Sequence, residues 1–384
     1  MLALLSLAQV FAFGVWFSAS ALAPQLREAW HLTASQSGWL TTIVQLGFVA
    51  GTAVAAVLNL ADILPISRYY AVSACAAALC NAGLILVHDF VPALGLRFLT
   101  GVFLAGVYPP AMKMISTWYK DGRGFAIGTI VGALTVGKAS PYLVHSFFEN
   151  AEINVVVLVA SFSTAMAGLI VFATYHDGPF AFERRPFSWG LVGSVWKNRG
   201  VRLAIGGYLG HMWELYAMWT WIATFLVAGA GFGQRSADLG GFAIIAIGSL
   251  GCVLGGWAAD RIGRERLTIQ SMAVSGFCAS VIGLFTASRE VVLIVALIWG
   301  FAIVADSAQF SALVTELSPP HAVGTALTLQ TSMGFLLTMA SIQLVPRMVE
   351  ATGWRLAFVM LAAGPALGIL AMQQLLKTRA RSGS

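Results

Sequence analysis

The sequence predicts an all-α integral membrane protein: twelve transmembrane helices arranged as two pseudo-symmetric six-helix bundles. Three observations carry that prediction. Of 384 residues, 58% are hydrophobic and only 10% charged, whereas soluble domains carry about 25% charged residues. The apolar residues recur in runs of about 20, enough to cross a hydrocarbon core of about 30 Å as a helix. The two halves of the chain also echo one another at an offset of about 200 residues.

Apolar runs and their polar punctuation place the spans near 2–23, 36–58, 69–88, 92–117, 124–147, 152–174, 200–228, 237–259, 266–286, 290–313, 322–346 and 353–376. The longest polar break, 175–199 (YHDGPFAFERRPFSWGLVGSVWKNR), separates six spans from six. It makes 1–174 the first bundle, 175–199 a cytoplasmic linker and 200–384 the second bundle. Ala21-Leu22-Ala23 has the look of a signal-peptidase site, but no Lys or Arg precedes it, the run is too long and Pro24 follows; it reads as a retained span. Of the 22 Lys and Arg residues, fourteen fall on the side of the termini and linker and five on the other, with Arg97, Lys113 and Lys138 inside spans. The positive-inside rule then puts both termini in the cytoplasm of a multi-pass inner-membrane protein. The net charge of +6 reflects these basic loops and is no nucleic-acid footprint. Cys75, Cys80, Cys252 and Cys278 all lie in apolar runs and read as packing residues.

The echoes between halves are specific. Gly124-Phe-Ala-Ile-Gly128 opens span five and Gly324-Thr-Ala-Leu-Thr328 opens span eleven; Asp62 and Arg68 follow span two as Asp260 and Arg266 follow span eight; Gly14-Val-Trp-Phe-Ser18 matches Gly210-His-Met-Trp-Glu214. A duplicated six-span unit is a construction typical of secondary transporters.

Residues 256–266, GWAADRIGRER, lie between spans eight and nine and resemble the G-x-x-x-D-R-x-G-R-[KR] loop motif of the major facilitator superfamily. The resemblance runs over essentially the whole chain. It implies a central cavity walled by spans one, four, seven and ten and gated by Asp260, Arg261, Gly263, Arg264 and Arg266. Gly256 would permit close helix approach and Gly263 a tight turn. The first-half copy keeps Asp62 and Arg68 but has Leu58 and Pro65 at the glycine positions. Arg97-Phe-Leu-Thr-Gly101 is similar to the family's R-x-x-x-G motif, which implies a part in proton coupling; the alternative is an arginine snorkelling to the interface. Residues 118–128, WYKDGRGFAIG, are similar to a loop of anion-transporting branches. Gly128, Gly132, Gly137 and Pro141 resemble an antiporter motif that has decayed.

Ionisable groups at mid-span are costly unless they face protein or water, about 2.5–3.5 kcal/mol on insertion scales. His211 and Glu214 lie at the middle of span seven, one turn apart, on a stripe continued by Tyr208, Met218 and Trp221. Lys138 sits at the same depth in span five, and Asp306 slightly inward of centre in span ten. The reading is that Lys138 binds an anionic group and Glu214, tuned by His211, carries a coupling proton, with Asp306, Tyr142 and Trp221 lining the site. Anion and proton would then favour one another's binding. The bland alternative is a structural Lys138–Glu214 ion pair. Gln45 and Gln330 are lesser candidates, and Trp213 and Trp219 read as packing.

The expected function is secondary transport of a small, anionic solute by alternating access, coupled to protons, by a monomer in the lipid bilayer. A proton-driven drug or metabolite exporter and a non-transporting receptor or scaffold are the alternatives. No nucleophile triad, metal-ligand cluster or nucleotide-binding loop is present, so neither an enzyme nor a cofactor is expected.

Overall fold

The computed structural model describes residues 1–119, 122–148, 153–180 and 188–382. Its membrane-crossing rods are α1 (Leu2–Ala21), α2 (Ala34–Val57), α3 (Ile66–Leu86), α4 (Phe90–Ser116), α5 (Gly124–Phe147), α6 (Ile153–Thr174), α7 (Arg199–Ala228), α8 (Gln234–Ile262), α9 (Arg264–Phe285), α10 (Arg289–Leu317), α11 (Pro320–Thr352) and α12 (Trp354–Arg379). Eleven are long and apolar enough to cross a membrane. The remaining one, α7, has the length at 30 residues, but His211, Glu214 and its glycines lower its hydropathy.

Local chemistry sets the helix ends. Thr33 opens α2 with a reciprocal capping box: its hydroxyl accepts the Gln36 N–H at 3.2 Å, and Gln36 Oε1 accepts the Thr33 N–H at 2.8 Å. Asn198 caps α7 through the Val201 N–H. Gly263, at φ 90°, turns the chain from α8 into α9, as its place in the loop motif requires. Residues 181–187 of the expected linker lie outside the described residues. Beyond them the linker is not a plain polar connector, because Trp189–Lys197 forms a short helix with Val195 buried. Ser188 N–H ties its start to Thr325 Oγ1 of α11.

Rods α1 and α8 break at Phe13 and Ile247, and α4 and α10 break at corresponding places in the two halves. α4 breaks at residues 105–107, just before Pro109-Pro110, which cannot donate backbone hydrogen bonds. α10 breaks at Asp306. The packing repeats as well. α2 and α4 meet backbone to backbone: a Cβ at Gly101 would fall on the Val44 carbonyl, and one at Gly47 on the Phe98 carbonyl. α8 and α10 repeat the device, Gly300 against the Ile244 carbonyl and Gly251 against that of Phe301. Gly256, expected to serve a close approach, has open space around it; Gly255 lies against the Ala305 carbonyl instead. At about 100° per residue, the side of α8 that meets α10 passes through 251 and 255, not 256.

Between the halves, α2 packs on α11 and α5 on α8. Ser35 and Thr42 bond to Gln343 at 2.8 and 3.3 Å, Thr338 donates to Gln45, and His145 meets Asp238 at 2.7 Å. These contacts lie at mid-depth or toward the end away from the chain termini. At the terminal end of α5, Gly124 has nothing within 4 Å and Phe125 is 61% exposed. The hydrogen bonds between the halves thus gather toward the far end, while α5 stays packed on α8 down to Gly128, where a Cβ would lie 3.8 Å from the Cys252 carbonyl oxygen.

Gly101→Ala should lower the melting temperature of purified protein by several degrees, since overpacking costs about 1–3 kcal/mol. Gly95→Ala in the same helix, where the space is open, is the control and should leave it unchanged.

Candidate functional site

Gly137 brings α5 against the backbone of α1, its missing Cβ lying 2.6 Å from the Val10 carbonyl oxygen. This close approach carries the next residue, Lys138, into the seam between α1 and α7. Its ammonium donates to the Tyr216 hydroxyl and sits 4.4 Å from the Trp16 ring centroid, 4.6 Å from Tyr216, 5.4 Å from Trp219 and 5.6 Å from Phe13. The side chain is 3% exposed, and among the described residues no carboxylate pairs with it. The rings supply cation–π attraction, about 0.5–1 kcal/mol each at exposed sites and about 2 when desolvated. The indole N–H groups of Trp16 and Trp219 are buried without acceptors. Around Lys138 the seam therefore holds hydrogen-bond donors in excess. Tyr142 borders it, donating to the Trp219 carbonyl at 3.3 Å.

Glu214 is not part of this seam. Its two carboxylate oxygens accept from Ser275 Oγ of α9 at 2.8 Å and from Trp299 Nε1 of α10 at 2.7 Å, inside the second bundle. Lys138 and Glu214 have separate partners, so the structural ion pair of the alternative reading is absent. The reason lies in helical phase: Glu214 and Tyr216 are about 200° apart on α7, so the face toward α5 belongs to Tyr216 and Trp219.

His211 and Asp306 do come together. His211 Nδ1 lies 2.9 Å from Asp306 Oδ1, and its Nε2 lies 2.9 Å from Ser307 Oγ. The first is an ion-pair distance without aligned hydrogen-bond geometry, so Asp306 Oδ1 remains without a formal donor. The pair joins α7 to α10 where α10 is broken, beside the rings of Tyr208 and Phe310. Trp221 donates to the Ile342 carbonyl at 2.9 Å and lies against Gly38 of α2, on the far-end closure. Gln330 donates to Ser311 within the second bundle.

Arg97 is fully buried and does not snorkel. Its guanidinium donates to the carbonyls of Leu40 (3.0 Å), Val15 (2.6 Å) and Trp16 (2.5 Å) and to Asn81 Oδ1 (3.0 Å) and Ser18 Oγ (3.3 Å). It staples α1, α2, α3 and α4 together. None of these acceptors is ionisable, so the coupling role is not carried further.

The loop-motif residues stay within the second half. Arg264 binds Glu316 at 2.7 Å and Gln309 at 2.6 Å. Arg261 stacks 3.6 Å from the Trp257 ring centroid. Asp260, Arg266 and Arg68 are exposed; the side chain of Asp62 lies outside the described residues. Among the described residues no group of three or more metal-ligating side chains occurs.

Two features escaped the sequence reading. The ring set Phe13, Trp16, Tyr216 and Trp219 was legible only as generic packing, although Tyr216 and Trp219 at i, i+3 share a face. The His145–Asp238 pair was hidden because both groups fall in the end turns of their spans, where polar residues are ordinary.

The family model described as Major Facilitator Superfamily matches residues 5–342 and, again, 253–383. The chain is 25% identical over 232 residues to an MFS transporter, asaE, of Aspergillus flavus, covering 57% of this chain and 50% of that one. It is 25% identical over 208 residues to a D-galactonate transporter of Escherichia coli, covering 46% and 47%. The chain thus matches about half the length of these curated relatives. Among solved structures, a bacterial homologue of the human lysosomal transporter Spinster, inward-facing and unoccupied, superposes with TM-score 0.75 at 16% identity over 98% of this chain and 97% of that one. A mutant of the nucleoside transporter NupG gives 0.70 at 15% identity, covering 97% and 98%.

Replacing Arg97 with Lys keeps one charge but leaves most of the five acceptors unmet, and should cost about 3 kcal/mol or more. A large drop in melting temperature and in yield of monodisperse protein would register it.

Proposed function

The chain belongs to the Major Facilitator Superfamily, and we propose that it moves a small organic anion across the membrane by alternating access, coupled to protons. It is a membrane transporter and not an enzyme. One observation carries the anion: the Lys138 ammonium and two unpaired indole N–H groups share a buried mid-depth seam between the halves, with no carboxylate among the described residues to answer them. A seam of donors complements a carboxylate. Ring faces complement a flat or C–H-rich body, as in a sugar acid, and the relative that carries D-galactonate supports that choice. The rings hold the ammonium between cycles, and a carboxylate displaces them because charge-assisted hydrogen bonds are the stronger contact.

The coupling proton is assigned to the His211–Asp306 pair rather than to Glu214. Both Glu214 oxygens are occupied by fixed donors of their own bundle. Asp306 lies at the break in α10, where a change of charge acts on a hinge. Residues 1–174 and 200–384 are the units that rock, acting as a monomer, with 175–199 between them. The positive-inside count puts termini and linker in the cytoplasm of the inner membrane. The far-end closure is then extracytoplasmic and the described state faces inward. On rocking outward, Asp260 and Arg261, Arg264 and Arg266, with Asp62 and Arg68, would close the cytoplasmic end.

Uptake of radiolabelled sugar acids into proteoliposomes tests the anion. Lys138→Met should raise KM at least tenfold and Trp219→Phe, which keeps a ring but removes the N–H, severalfold. Equal uptake by wild type and Lys138→Met would refute the assignment. Asp306→Asn should abolish accumulation driven by an imposed proton gradient while sparing solute exchange, and Glu214→Gln should retain accumulation. The reverse pattern would return the proton to Glu214.

A further inference from the structure

One imidazole–carboxylate pair among the described residues joins the two halves, and it lies apart from the Lys138 seam. His145, near the far end of α5, is fully buried, and its Nδ1 is 2.7 Å from Oδ2 of Asp238 in the first turns of α8. Gln25, in the helix Ala23–Ala29 that follows α1, reaches the other imidazole nitrogen at 2.5 Å. Gln234 adds two donor contacts to the Asp238 carboxylate at 3.2 Å. Gln25 Oε1, meanwhile, is buried with no partner.

We propose that His145, Asp238 and Gln25 form a proton-binding site that fastens the far end of the bundle shut. The site accommodates both charge states of the ring. With a neutral imidazole, Nδ1–H donates to Asp238 and Nε2 accepts from the Gln25 amide. One added proton makes both ring nitrogens donors. A half-turn of the Gln25 amide then presents its unpartnered oxygen to Nε2–H, and His145 and Asp238 become a neutral buried ion pair. Without that proton, Asp238 is a buried anion held by neutral donors alone, the costlier arrangement. Once the halves part, water solvates both groups and their attraction is lost. Proton binding and far-end closure therefore favour one another.

The surroundings contain no competing charge in contact among the described residues. Tyr142, one turn below on α5, is engaged with the Trp219 carbonyl. Arg27 and Glu28 on the Gln25 element and Arg235 on α8 are exposed; Glu149 and Glu152 lie outside the described residues. The far end's other inter-half hydrogen bonds, through Ser35, Thr42 and Gln343, are neutral. This site goes beyond the assignments to Lys138 and Asp306 and requires neither.

The test uses full-length protein in lipid nanodiscs without solute, its four native cysteines replaced by serine. Spin labels are attached at Glu28→Cys and Ser236→Cys, exposed positions on opposite halves at the far end. Distances are measured by electron–electron resonance from pH 8 to pH 5.5. The expected result is a shift toward the short-distance population as pH falls, at least fivefold in the closed-to-open ratio. His145→Gln, which still bonds Asp238 but cannot take a proton, should give one ratio at every pH. Asp238→Asn should lose the acid-side gain. A wild-type ratio indifferent to pH, or a His145→Gln protein that follows pH as wild type does, would overturn the proposal. Because no solute is present, either result leaves the anion assignment standing.

Discussion

The hydrocarbon interior supplies no water, so every charge placed there must be answered by the protein itself. Four of its buried ionisable groups are answered in four different ways. Arg97 is met by three backbone carbonyls, an amide and a hydroxyl of its own half. Glu214 is met by a hydroxyl and an indole of its own half. Lys138 is met by aromatic faces contributed from both halves, and His145 by a carboxylate across the boundary.

Arg97 and Glu214, satisfied inside one bundle, stiffen that bundle; Lys138 and His145, satisfied across the boundary, register whether the bundles are together. Arg97 and the reciprocal glycine contacts of α2 with α4 tie α1 to α4 of the first half into one unit. The α8–α10 contacts join those two rods in the second. Two softer solutions stand at the boundary between the halves. A ring face holds an ammonium without neutralising it. An imidazole–carboxylate pair changes strength with one proton. Alternating access needs both qualities, stiff halves and a boundary that responds to what it binds.

Much of this was legible in the sequence. The spans follow from hydropathy and length. Gly263 was readable as a turn because GRER after an apolar helix end demands one. The mid-membrane groups Lys138, His211, Glu214 and Asp306 were readable because their cost makes them conspicuous. Their partners were not. His211 and Glu214 share a stripe, yet His211 joins Asp306 and Glu214 joins Ser275 and Trp299, a choice made by which neighbour each turn of α7 meets. Gly256 and Gly255 differ by one residue and about 100° of phase, and only the packed helix tells which one meets α10.

By itself the sequence determined the membrane, the count of helices, the duplication and the depth of each ionisable group, because these depend on transfer free energy and on distance along a helix. The tertiary structure alone decided which groups face one another. Azimuth around a helix axis is set by contacts between segments far apart in the chain, and a phase error of two residues turns a side chain to the opposite side. That separates an expected shared site, Lys138 with Glu214, from the observed pair of environments, a ring-lined seam and a bundle interior.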